Sequence, residues 1–141
     1  MKQSACLDAG VLSIFFSSDC TQDVEALMKS IKEKEVHAFI LRPILIESYY
    51  HICRIKGNEI ARITITSFIK EYPVNLTDIT EDLIFSAGKL KCQNGNTLSY
   101  NDCLSIAFCL NNKVEFHTTE KNLKKNTYHI LKRLKIKTYS F

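Results

Sequence analysis

The chain has 141 residues, is 45% hydrophobic and carries a formal net charge of +4. That size and apolar content bury a full core without disulfide or metal staples, so residues 1–141 are read as one domain. The opening MKQSACLDAGVLSIFFSSD begins like an export signal, but Asp8 interrupts the apolar run, and the unbroken stretch Ala9 to Phe16 is too short to span a bilayer. A cytoplasmic protein with no membrane partner is expected.

In chain order, Ser4 to Leu7 reads as a buried strand that delivers Asp8 to the carboxyl edge of a sheet. DVEALMKSIKEKE places Val24, Leu27, Met28 and Ile31 on one face at helical spacing, with charges opposite. VHAFILR is apolar almost throughout, as in a strand covered on both faces. Pro43 suits the first turn of a helix running from Ile44 to Lys56, stopped at Gly57, and a second helix spans Asn58 to Glu71 before Pro73. VNLTDI is a short strand. Thr80 caps a helix whose first turn carries Glu81 and Asp82, and the QNGN turn follows it. A helix from Ser99 to Asn111, the strand KVEFH, a helix from Thr119, a helix-forming stretch around TYHILKRL and a closing strand in IKTYSF complete the pattern. Such alternation predicts an α/β fold: a three-layer α/β/α sandwich on a mainly parallel sheet of four to five strands.

The six cysteines form no C-x-x-C pair, and Cys6, Cys53, Cys103 and Cys109 lie in apolar runs where a reduced thiol packs as a small hydrophobe. Charge is unevenly spread. Of nineteen Lys and Arg, seven follow Glu120, where no Asp or Glu occurs, which leaves twelve basic against fifteen acidic residues before them. The basic end is either a solvated face or a phosphate-binding strip.

Four carboxylates stand in apolar surroundings or at strand ends: Asp8 in ACLDAGVL, Glu47 in RPILIESYYHI, Asp102 in LSYNDCLSIAFCL and Glu120 in VEFHTTEKNL. Each has a structural explanation. Asp8 suits a helix cap, Glu47 a pair with His51, Asp102 the third position of a loose capping box, and Glu120 a first-turn anion. Together they point elsewhere, because Asp8 and Glu120 follow strands, and helices starting near Pro43 and Ser99 begin at the same sheet edge. Two carboxylates about 4 Å apart repel by roughly 4 kcal/mol at an effective dielectric of 20, and a divalent cation reverses the sign. An oxygen-only set selects Mg²⁺ or Mn²⁺ over zinc.

CLDAGVL, PILIESYY, LSYNDCLSIAFCL and FHTTEKNL occur in the order and rough spacing of a PIN-domain nuclease, and the resemblance covers essentially the whole chain. It resembles the small stand-alone PIN proteins, among them the VapC-type toxins of toxin–antitoxin pairs. The resemblance implies a metal-dependent endoribonuclease with an acidic quartet at Asp8, Glu47, Asp102 and Glu120 and a supporting Thr118, whose hydroxyl orients a carboxylate. It further implies an RNA substrate, an antitoxin partner and a homodimer. Lys121, Lys124 and Lys125 are the candidate phosphate contacts. The chain departs from the family pattern at Ala9 and Gly10, where a hydroxyl or amide side chain is usual, and at Glu120, where Asp is usual.

The competing reading is a PIN-like module that binds RNA or a partner with weakened turnover. A nucleotide-binding α/β domain is disfavoured, since neither G-x-G-x-x-G nor a Walker loop occurs. His37, His51, His117 and His129 are expected as surface or packing residues.

Overall fold

The structure is a computed structural model that describes residues 2–121, 123 and 130–141, with Ile130 and Leu131 as backbone alone. Its strands are β1 (Gln3–Leu7), β2 (Val36–Leu41), β3 (Val74–Thr77), β4 (Glu115–Thr118) and β5 (Ile136–Thr138). They form one sheet in the order β3-β2-β1-β4-β5, and every pairing is parallel. The chain winds outward from β1 through β2 to β3, then resumes on the other side of β1 with β4 and β5. The carboxyl ends of β1 and β4 therefore flank the point where the winding direction switches, the place where open α/β sheets leave a crevice.

Among the described residues, six helices cover the sheet to give the expected α/β/α sandwich: α1 (Ala9–Phe16), α2 (Gln22–Lys32), α3 (Arg42–Lys56), α4 (Asn58–Glu71), α5 (Glu81–Gln93) and α6 (Tyr100–Asn112). In α2 the four residues picked out by periodicity, Val24, Leu27, Met28 and Ile31, are all buried. Helix α3 starts at Arg42, with Pro43 in its first turn, and ends at Gly57, whose φ of 89° suits a residue without Cβ. Helices α1 and α4 lock together through rings: Phe15 lies 5.4 Å from Tyr72, and Phe16 5.4 Å from Phe68. Helix α5 is capped by Thr80 Oγ1, which accepts from the Leu83 N–H at 3.2 Å. Helix α6 meets β2 through Phe108 and Phe39, 5.4 Å apart.

Cys6, Cys103 and Cys109 are buried thiols, whereas Cys53 is only half-buried and hydrogen-bonds Asn58 Oδ1 at 3.2 Å. Burial pushes the Cys103 thiol up, and both the neighbouring Cys6 and burial do the same to Cys109, so neither is poised as a nucleophile.

Two expectations near the end need correction. Of the helix predicted from Thr119, Leu123 is helical but the first three residues are not. Residues 119–121 bend instead, because Thr118 Oγ1 accepts the Glu120 N–H at 3.1 Å in a local turn. Within the stretch TYHILKRL, Ile130–Arg133 form a 3₁₀ turn, and Thr127 to His129 lie outside the described residues. Continuation of that turn past Arg133 would conflict with β5, which must be in register by Lys135, whose carbonyl accepts from the Phe116 N–H at 2.8 Å.

Candidate active site

The sheet carries Asp8 to the crevice. The β1–β4 ladder pairs Leu7 with His117, and the Asp8 N–H extends it by donating to the His117 carbonyl at 3.0 Å. Asp8 is thus the last ladder residue and also the N-cap of α1, with Oδ1 accepting from the Ala9 N–H at 2.8 Å. Its other oxygen, Oδ2, accepts from Thr118 Oγ1 at 2.9 Å. Thr118 is fully buried and holds the Asp8 carboxylate and the Glu120 backbone with one hydroxyl, as expected of a residue that orients a carboxylate. Behind it, His117 Nδ1 shares a 2.8 Å hydrogen bond with the Tyr139 hydroxyl, and Nε2 lies 2.8 Å from Glu115 Oε1. These contacts tie β5 to β4. Burial outweighs Glu115 and holds the His117 pKa below its ordinary value, in keeping with a packing role.

Asp8 is only 6% exposed, and its pKa is pushed up to about 6. Burial is the largest cause and the charge of Asp102 the next. The Thr118 and Ala9 hydrogen bonds pull it back, and Glu47 adds a smaller push. The two neighbouring carboxylates thus add to burial in disfavouring a charged Asp8.

The remaining acids come from helices and a bend. Asp102 closes a full capping box: its N–H donates to Ser99 Oγ at 3.1 Å, and its Oδ2 accepts from the Ser99 N–H at 3.3 Å. Glu47 does not pair with His51; its Oε1 accepts from Asn101 Nδ2 at 2.8 Å, which joins α3 to α6. Glu120 is exposed at the end of β4. All four acids line one open cleft of about 680 Å³, together with Gly10, Ser13, His51, Arg54 and Thr119. Among the described residues, however, no three His, Cys, Asp or Glu side chains converge closely enough to hold a metal as they stand. The helix-borne carboxylates are turned toward Ser99 and Asn101.

Sequence reasoning missed part of the lining. His51, expected as a packing or surface residue, faces the cleft, and its Nδ1 lies 3.1 Å from Ser13 Oγ. Arg54, one helical turn from Tyr50 and over its ring at 5.5 Å, brings a cation to the same cleft. The i, i+4, i+7 spacing of Glu47, His51 and Arg54 on α3 was the available signal. Lys121 sits outside this cleft, in a neighbouring depression with Glu120, Leu123, Ile136 and Thr138. Lys124 and Lys125 lie outside the described residues.

The PIN domain family model matches residues 5–127, which takes in all four acids. The chain belongs to the PIN domain family. This PIN domain is similar in fold to VapBC2 from Rickettsia felis bound to a promoter DNA fragment: TM-score 0.72, 16% identity, covering 98% of this chain and 100% of that one. It is also similar to DNA-bound VapBC from Salmonella typhimurium, with TM-score 0.69 and 14% identity over 99% of this chain and 100% of that one. A third likeness is to Mycobacterium tuberculosis VapC20, described as a sarcin-ricin loop cleaving toxin, with TM-score 0.62 and 15% identity over 79% of this chain and 85% of that one. At these identities the likeness is one of fold. No curated protein matches the sequence significantly. No helix of the PIN domain, among the described residues, is long and apolar enough to cross a membrane.

Proposed function

We propose that this PIN domain is a metal-dependent endoribonuclease that cleaves phosphodiester bonds of RNA in the cytoplasm, as the toxin of a toxin–antitoxin pair. The observation that carries the reading is the meeting of four carboxylates on one cleft, with Asp8 raised by burial and by the charges of Asp102 and Glu47. An all-oxygen donor set of this charge fits a hard divalent ion, Mg²⁺ or Mn²⁺. Asp8, Glu47, Asp102 and Glu120 would hold it, and when bound it supplies the positive charge and the activated water that phosphodiester hydrolysis needs.

The chain's own residues do the rest. Thr118 fixes the Asp8 carboxylate so that an oxygen stays aimed at the cleft. Asp102 and Glu47, both half-buried, would exchange their Ser99 and Asn101 partners for a cation at the cost of side-chain reorientation. Arg54 and the basic residues Lys121, Lys124 and Lys125 hold backbone phosphates. An open cleft accommodates a bent single strand or loop, whose bases are unpaired and accessible.

Support for a protein partner comes from the toxin–antitoxin complexes of similar fold and from the apolar side chains that α3 and α4 leave in solvent. Ile46, Ile55 and Ile63 are 72%, 82% and 54% exposed. We assign these exposed side chains to contacts with an antitoxin and with a second copy of the chain in a homodimer. The test is cleavage of a mixed RNA pool by the purified protein with Mg²⁺ or Mn²⁺, abolished by EDTA. RNA that is bound but left intact under both ions would favour instead a module that binds without turnover, the reading that Ala9, Gly10 and Glu120 leave open.

A further inference from the structure

The start of α1 contains a position where any side chain would collide with Thr119 as it is placed. A Cβ on Gly10 would run into Thr119 Oγ1, and it would lie 3.0 Å from Thr119 Cγ2 and 3.1 Å from Thr119 Cβ. Rotation about χ1 can swing the Thr119 hydroxyl away, but the 3.1 Å approach of its Cβ remains, so Thr119 must also shift by a few tenths of an ångström. The φ of Gly10 is that of an ordinary helical residue, so its backbone does not require glycine. The requirement comes from Thr119.

Thr119 follows Thr118 at the end of β4. Thr118 turns inward to Asp8, and Thr119 lies across the first turn of α1, half-buried and lining the cleft with all four acids. Its hydroxyl has no hydrogen-bond partner among the described residues, in contrast to those of Thr118, Ser99 and Ser13, which are all engaged. A cleft so rich in carboxylates repels phosphate. A hydroxyl there donates a hydrogen bond without adding charge and without pairing off an acid, as a lysine would.

We propose that Thr119 is a substrate-contacting residue whose hydroxyl donates to a non-bridging oxygen of the scissile phosphodiester, and that position 10 is glycine to admit it. The inference rests on the ribonuclease reading above and adds a residue to that site.

The test uses the full chain and a short single-stranded RNA that the parent cleaves, with Mn²⁺ affinity measured separately by calorimetry. Thr119→Val keeps the shape and removes the donor. Its kcat/KM should fall roughly 10- to 100-fold, the range for one hydrogen bond to a charged group, with the Mn²⁺ dissociation constant within about twofold of the parent. Thr119→Ser should recover most of the loss. Gly10→Ala should act like Thr119→Val by displacing the hydroxyl, and the double variant Gly10→Ala/Thr119→Val should be no worse than either alone, since both remove one contact. A phosphorothioate at the scissile position should slow the parent for one diastereomer, and Thr119→Val should lose most of that discrimination, which a merely structural residue would not do. If Gly10→Ala fails to fold, the Val and Ser variants and the sulfur substitution still decide. If Thr119→Val cleaves both substrates like the parent while Asp8→Asn is inactive, the inference falls and the ribonuclease reading stands. If the parent cleaves no RNA with either ion, both fall.

Discussion

The cleft has two halves built on different principles. On the strand side, Asp8 is pinned by the β1–β4 ladder, by its own cap of α1 and by the Thr118 hydroxyl, and it is nearly inaccessible. On the helix side, Asp102 and Glu47 are half-buried, each engaged with a neutral partner it can release. The strand half has its geometry fixed at the expense of an unfavourable burial of charge; the helix half is comfortable as it stands and would have to move to meet a cation. If the site takes a cation as proposed, rigid placement of one acid and adjustable placement of the others would present it with an oxygen-rich site.

The largest expected effect breaks the rigid half. Asp8→Asn should remove ~10²-fold or more of RNA cleavage, about 3 kcal/mol of barrier, in a single-turnover assay. Asp102→Asn should cost a similar factor, though its capping box with Ser99 also contributes to α6. Parental rates in both variants would remove the basis for treating the two halves as one site.

The second effect is in stability. The Asp8 pKa rises from 3.8 to about 6 on folding, so between those values the folded chain binds more protons than the unfolded one. Stability contributed at this group is therefore present below pH 3.8 and lost as pH rises through about 6. The penalty above that window is about 3 kcal/mol, from a shift of about two units at 1.36 kcal/mol each. Chemical denaturation should find Asp8→Asn more stable than the parent at pH 8, by less than that figure because the asparagine accepts fewer hydrogen bonds, and no more stable at pH 4. A parent more stable than the variant at pH 8 would mean that Asp8 is a favourable cap and little else.

The same contrast explains what the sequence disclosed. Strand ends are legible because the apolar run of β1 stops abruptly at Asp8, and β4 stops at Thr118. The parallel topology then brings these residues together across 110 positions of sequence. The capping role of Asp102 and its place on the cleft were both readable, and both hold in the structure. Three things were not legible. The Glu47–Asn101 contact joins two helices whose relative placement no local pattern encodes. The bend at 119–121 depends on the Thr118 hydroxyl choosing a backbone N–H over a helix. The glycine at 10 looked like a missing polar side chain, because its reason for being glycine is a residue 109 positions away.

Smaller effects sharpen the comparison at its exposed edge. Glu120 is the least constrained acid, with its backbone held by Thr118 and its side chain exposed. Glu120→Gln should lower cleavage by about tenfold or less, and Glu120→Asp should equal or exceed the parent if the shorter acid suits the cleft. A Glu120→Gln loss as deep as that of Asp8→Asn would show that exposure does not rank these acids. Smaller still is the contribution of the basic end. If it neutralises about three phosphates, log affinity for single-stranded RNA should fall against log salt with a slope near −2, at about −0.7 per phosphate. Charge reversal at Lys124 and Lys125 should flatten it, and an unchanged slope would make the segment a solvated face.

The most direct measurement is thermal unfolding at pH 8 across a Mn²⁺ titration, for the parent and for Asp8→Asn. A cation that relieves the repulsion around Asp8 binds the folded parent alone. Its Tm should climb with ion concentration, approaching about 2.7 kcal/mol of added stability at one hundred times the dissociation constant. Asp8→Asn, already relieved of the charge, should start higher and stay nearly flat. Parallel curves for the two proteins, or no rise in the parent, would contradict a metal site built on Asp8.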